Sequence, residues 1–240
     1  MKRILFLLLM VWSTIAILSI DRARDAIASV ASFTYDSAAS VGRVFDPRDA
    51  APDNGGRNAG KRPPTLQNDG PKCLSRLENI KGLSFTTMDP FANANGCGVN
   101  HPVLVSAVGD IDIQGRGLVL SCPSAEGLAK WLNKDVGKIL EKHDKAALKR
   151  LNHLGSYNCR RIAGSGTWSQ HAYANAVDVT GLVFEDGEEV SILNDWDDEP
   201  VLHDLSKSAC GRFNVVLSPD YNEAHKDHLH FDLGPYRVCR

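Results

Sequence analysis

From His228 to Leu233 the chain reads HLHFDL, an unbroken alternation of polar and apolar residues. Successive side chains of a strand point to opposite faces, so this register puts His228, His230 and Asp232 on one face and Leu229, Phe231 and Leu233 on the other. The apolar set can enter a core. The polar set is then gathered on the opposite face, which is costly for folding unless something occupies it. Some fifty positions earlier Ala176, Asp178 and Thr180 share a face by the same rule, opposite Val177 and Val179. The small neighbours leave the Asp178 carboxylate accessible.

The surrounding pattern gives the rest of the expected domain. Residues 174–184 alternate and are β-branched, and Asp186-Gly187 turns the chain into EEVSI, a hairpin. Residues 124–143 carry Leu128, Trp131, Leu132, Val136, Ile139 and Leu140 at helical spacing, with Ser124 as the cap. A second helix is expected over about residues 200–210, and strands over 213–217 and 228–233. Strands mixed with helices and lacking a βαβ rhythm predict an α+β fold: a small antiparallel sheet bearing the site, flanked by helices and stapled by disulfides.

The amino-terminal seventy residues are of a different kind. Lys2 and Arg3 precede an uncharged, mostly apolar run from Ile4 to Ile20, a pattern that directs export. Seventeen residues reach the short end of the range for a spanning helix, and charged Asp21, Arg22, Arg24 and Asp25 follow at once. That favours an uncleaved membrane anchor over a cleaved signal. Both readings put the remainder outside the inner membrane, in the periplasm or cell envelope. Residues 46–70 are rich in Pro, Gly, Asn and Asp and nearly devoid of large apolar side chains, so they read as a flexible tether. The expected division is 1–25 anchor or signal, 26–71 linker and 72–240 folded domain.

All six cysteines, Cys73, Cys97, Cys122, Cys159, Cys210 and Cys239, fall in that domain and none forms a CxxC pair. In an exported chain this points to three disulfides, with fifteen pairings open. The pairing expected here is Cys73–Cys97, Cys122–Cys159 and Cys210–Cys239. A net charge of −2 with interspersed signs supplies no basic face, so nucleic acid is not an expected partner.

Two imidazoles and one carboxylate meet the needs of a zinc site with a position left for water. Calcium would require more oxygens than the motifs supply, whereas ligand type alone leaves copper open. The stretch SQHAYANAVD resembles the SxHxxGxAxD signature of zinc D-alanyl-D-alanine peptidases, and HKDHLH resembles the HxxHxH of related murein endopeptidases. That group shares a core with lysostaphin-type enzymes and the hedgehog amino-terminal domain. More closely, Cys73 to Arg240 resembles the bacterial extensin-like carboxy-terminal domain family through its GSYNCR, HAYANAVDV, DYNEAHKDHLHFDL and YRVCR blocks.

The resemblance implies His171, Asp178 and His230 as zinc ligands. It implies that His228 lies beside the reacting water and stabilises charge on the attacked carbonyl. For the proton acceptor, His228 with Asp227 ranks first, His225 next and Glu223 third. Ser169 matches the signature serine, as a holder of a substrate terminus or as a turn-stabilising hydroxyl. Arg160 or Arg161 falls where these peptidases carry an arginine that binds a carboxylate or oxyanion; the alternative is a surface arginine. Ala174 stands where the signature has glycine, which would be strained at positive φ. His101, His143, His153 and His203 lack a partner at ligand spacing, and Trp168, Tyr173 and Tyr221 flank the motifs as groove or packing residues.

The function expected is a zinc-dependent carboxypeptidase or endopeptidase acting on amide bonds of peptidoglycan peptides. The alternatives are a zinc-containing wall-binding module without turnover, and a disulfide-stapled envelope protein without metal.

Overall fold

The computed structural model describes residues 70–93 and 96–240. The expected anchor, and the tether as far as residue 69, lie outside the described residues. Helix α1 (Pro71–Glu78) leads into β1 (Leu83–Thr87), a separate ribbon of β2 (Phe91–Ala92) and β3 (Gly98–Val99), and then β4 (Pro102–Val108), β5 (Ile111–Ile113) and β6 (Leu118–Ser121). A long helical stretch follows as α2 (Cys122–Trp131), a π turn (Leu132–Val136) and α3 (Gly137–Lys142). Next come β7 (Leu148–Gly155), β8 (Ala176–Phe184), β9 (Glu189–Ser191), α4 (Ile192–Asp195), α5 (Pro200–Ala209), β10 (Val215–Leu217), β11 (Leu229–Asp232) and β12 (Val238–Cys239).

The fold is α+β, but the sheet is neither small nor purely antiparallel. Ten strands join in the order β1-β4-β5-β7-β8-β11-β10-β12, with β6 on β4 and β9 on β8. The β5–β7 and β10–β12 pairings are parallel. The carboxy-proximal strands fall where their alternation put them. What the pattern did not disclose are the strands before the hairpin. Runs such as PVLVSAV are apolar without a clean period, and a short apolar run is not distinguishable from a buried helix segment by periodicity.

The helical stretch is where its stripe places it, with Leu128, Trp131, Leu132, Val136 and Leu140 in the core. Its cap is Ser121 rather than Ser124: the Ser121 hydroxyl accepts the Ser124 N–H at 3.4 Å. The helix can begin a turn early because Pro123 sits in its first turn, where a missing N–H costs nothing. Trp131 meets Phe231 edge-on at 5.2 Å, Phe231 stacks on Phe213 at 5.3 Å, and the Trp131 indole N–H donates to Ser208 at 2.8 Å. Burial of aromatics of this size is worth about 1.5–3 kcal/mol each. This packing commits one face of β11 to the core and so turns the histidines outward.

Three disulfides form, and two pairings differ from expectation. They are Cys73–Cys122, Cys97–Cys159 and, as expected, Cys210–Cys239. Cys73 finds Cys122 because α1 docks on α2, where Arg76 also pairs with Glu126 at 3.0 Å. Cys97 instead ties the β2–β3 ribbon to the segment leading to His171. Partners were set by which segments pack together, not by nearness in sequence.

Candidate metal centre

His171 rides on a 3₁₀ turn, Gln170–Tyr173, whose cap is Ser169. The buried Ser169 hydroxyl accepts the His171 N–H at 3.3 Å, the turn-stabilising use of that side chain. Ala174 closes the turn at φ 50°, ψ 28°, with its methyl fully buried. The signature's glycine position is therefore left-handed, and alanine occupies it under strain. The Ala174 carbonyl accepts the Ser121 N–H at 2.8 Å, and the Ser121 hydroxyl bonds Asn175 Oδ1 at 2.6 Å, which ties the turn to the start of α2.

The other two groups come from paired strands. His230 on β11 stands directly opposite Asp178 on β8, while Leu229, Phe231, Val177 and Val179 fill the core behind them. His230 Nδ1 lies 2.8 Å from Asp178 Oδ1, His171 Nε2 lies 3.1 Å from Asp178 Oδ2, and the two histidine nitrogens are 3.2 Å apart. Tetrahedral zinc with bonds of 2.0–2.2 Å would hold such donors roughly 3.3–3.6 Å apart, so a slight widening accommodates the ion. The residues fit zinc in donor type, number and spacing.

Each histidine is held from behind. His171 Nδ1–H donates to the Ser156 carbonyl at 2.6 Å, which fixes the ring and aims Nε2 at the cluster. His230 Nε2 bonds Asp232 Oδ2 at 2.9 Å; Asp232 is 7% exposed and its Oδ1 accepts the Gly234 N–H. Alternation puts Asp232 on the His230 face, and the HxHxD spacing is the sequence signal of its place behind that ring.

Burial opposes charge on Asp178, yet hydrogen bonds from His171 and His230 hold its carboxyl well below the usual carboxylate range. Burial likewise opposes charge on His230, but bonds to Asp178 and Asp232 outweigh it and raise the imidazole to about 9.

Beside the cluster, His228 Nε2 is 3.6 Å from Asp178 Oδ1, and its Nδ1 is 2.7 Å from Asp227 Oδ1. The His225 ring centroid is 5.1 Å from that of His228 and 5.9 Å from that of His230. Its Nδ1–H donates to Asn222 Oδ1 at 2.7 Å. Burial first, then the nearby His230 and His228, push His225 down to about 3, so it is neutral at pH 7. Glu223 points into solvent and pairs with Lys226 at 2.7 Å. Arg161 stacks on Trp168 at 4.2 Å and donates to the Gly166 carbonyl, whereas Arg160 is exposed with no side-chain partner among the described residues. His143 bonds Asp204, and His203 bonds the Trp196 carbonyl, both apart from the cluster.

Fold and site together define a disulfide-stapled α+β domain carrying a His-Asp-His cluster on the open face of its sheet. The chain belongs to the family described as Extensin-like protein C-terminus, which matches residues 71–240. No curated protein and no solved structure matches it. Among the described residues no helix is long and apolar enough to cross a membrane.

Proposed function

We propose that the chain is a zinc peptidase of the cell wall, a carboxypeptidase or endopeptidase that hydrolyses amide bonds of peptidoglycan peptides outside the inner membrane. The apolar run at residues 4–20 would hold it there. One observation carries the reading. His171 Nε2, His230 Nδ1 and an Asp178 oxygen converge within 4.8 Å while the remaining nitrogen of each histidine is tied back, an arrangement suited to a cation. The likeness of the two motifs to those of zinc D-alanyl-D-alanine peptidases and murein endopeptidases supports the same chemistry.

A zinc ion held there would lower the pKa of a water towards 7 and polarise a carbonyl. His228 supplies the adjoining polar group. With Nδ1 held by Asp227, its Nε2 faces the cluster, where it can hydrogen-bond to an oxygen gaining negative charge. Asp227 orients the ring, and the pair can pass a proton to a leaving amine. His225, neutral and with Nδ1–H committed to Asn222, offers its Nε2 as a second acceptor. The unengaged Arg160 guanidinium is suited to a substrate carboxylate.

An imidazole oriented by a carboxylate beside the cluster favours an enzyme over a wall-binding module, because metal holding alone does not call for it. The test is the purified full-length chain, zinc-loaded or chelator-treated, on isolated sacculi, followed by mass spectrometry of muropeptides. Cleaved stems or cross-links in the loaded sample alone are expected. Unchanged muropeptides with zinc bound would overturn catalysis, and wall binding without cleavage would support the module.

A further inference from the structure

Thr180 lies two residues beyond Asp178 on the same face of β8, so it sits roughly 7 Å along the strand from the cluster. At that point the sheet surface opens into a trough of about 230 Å³ lined by Gln114, Asn152, Thr180, Glu189 and Ser191. A bulge explains the gathering: Asn152 and His153 of β7 oppose Gly181 and Val179, so Thr180 is the extra residue and Gly181, paired with Asn152 on one side and Ser191 of β9 on the other, joins it on this face. Charge within it is balanced, since Glu189 lies 3.7 Å from Arg150, which also donates to Asn152 Oδ1 at 3.1 Å. Thr180 and Ser191 hydroxyls make no hydrogen bond within the protein among the described residues. Gln114 uses its Oε1 for the His153 N–H, and its amide nitrogen has no hydrogen bond among the described residues.

We infer that this trough is a peptide subsite, which binds the main chain of an extended substrate about two residues from the amide placed at the cluster. The inference rests on the peptidase reading for the position of that amide. The chemistry of the lining selects the ligand. Uncharged hydroxyls and amides match the N–H and C=O groups of a peptide, whereas an ion finds no net charge and an apolar ligand would strand those polar groups unpaired. A sugar ring would call for an aromatic platform, and none lines the trough. An extended chain advances about 3.3–3.6 Å per residue, so two residues span the gap from Asp178 to Thr180.

The test uses the zinc-loaded full-length chain and isothermal titration with three probes: the dipeptide D-Ala-D-Ala, a pentapeptide ending in D-Ala-D-Ala, and a peptide-free N-acetylglucosamine tetramer. Hydrolysis of both peptides is followed in parallel. Thr180→Val keeps shape and strand propensity while removing the hydroxyl, and Ser191→Ala is an independent second variant. Unfolding midpoints show that each variant is folded.

Each variant is expected to weaken pentapeptide binding by up to roughly tenfold and to leave the dipeptide unchanged. Equal effects on both peptides, or no effect on either, would overturn the subsite. So would an effect on the tetramer alone, which would assign the trough to glycan. If neither peptide is hydrolysed but the pentapeptide selectively loses affinity, the subsite stands and the peptidase reading falls. If both are hydrolysed and the variants bind the pentapeptide like the wild type, the peptidase stands and the subsite falls. A pentapeptide that does not bind overturns the subsite.

Discussion

His230 and Asp178 face one another across β11 and β8, with Nδ1 2.8 Å from Oδ1. The pairing register alone brings these groups together. Val177, Val179, Leu229 and Phe231 lock that register by filling the core from the opposite face. A slip of one residue in β11 would send His230 inward and leave Asp178 without it. Asp178→Asn keeps the size of the side chain and removes its charge. Zinc measured by elemental analysis of the dialysed protein is expected to fall from one equivalent towards none. Full retention of zinc would remove Asp178 from the ligand set.

Asp232 touches no other cluster member than His230, so it acts by aiming that ring. Asp232→Asn is expected to weaken zinc binding by about 10–100-fold, read by competition with a chelator. An unchanged affinity would assign Asp232 to the Gly234 turn alone.

His230 moves from 6.5 to about 9 in the folded, metal-free chain. Its proton therefore stabilises that state fully below pH 6.5, and the contribution is lost as pH rises through 9. A zinc ion bound through His230 Nδ1 would have to displace the same proton. Zinc affinity is thus expected to rise between pH 6.5 and 9, by up to roughly tenfold per unit, while the unfolding midpoint of metal-free protein falls. Affinity independent of pH across that window would contradict a protonated His230.

Ala174 at φ 50° carries a left-handed cost of about 1–2 kcal/mol. Its buried methyl contributes about 0.8 kcal/mol, and glycine would lose a further 0.4–1 kcal/mol or so through the unfolded chain. These nearly cancel, so Ala174→Gly should lie within about 1 kcal/mol of wild type in denaturant unfolding. Ala174→Val forces a β-branched side chain into the same conformation and a filled space, and should lose at least about 2 kcal/mol. A valine variant as stable as wild type would contradict the left-handed turn.

The Cys210–Cys239 bridge spans 29 residues and encloses β10 and β11 with all three motif histidines of the carboxy-proximal segment. Cys210→Ser with Cys239→Ser is expected to reduce unfolding free energy by about 3–4 kcal/mol. Peptide mapping without reduction should join Cys97 to Cys159 and Cys73 to Cys122. A peptide linking Cys122 to Cys159 would overturn the fold's account of how α1 docks.

Much of the site was legible in the residue order. Alternation in HLHFDL and ANAVDV told which side chains share a face, and helical spacing told which apolar residues of the long helix enter the core. These are properties of a single strand or helix, so local periodicity reports them. The sheet's full extent, two of the three disulfides and the Ser156 carbonyl behind His171 were not so legible. Each depends on which remote segment comes to lie alongside, and packing decides that only when the whole chain closes on one core. Residue order supplied the donors and their facing; tertiary structure chose their neighbours, because contacts between distant segments leave no period in the sequence.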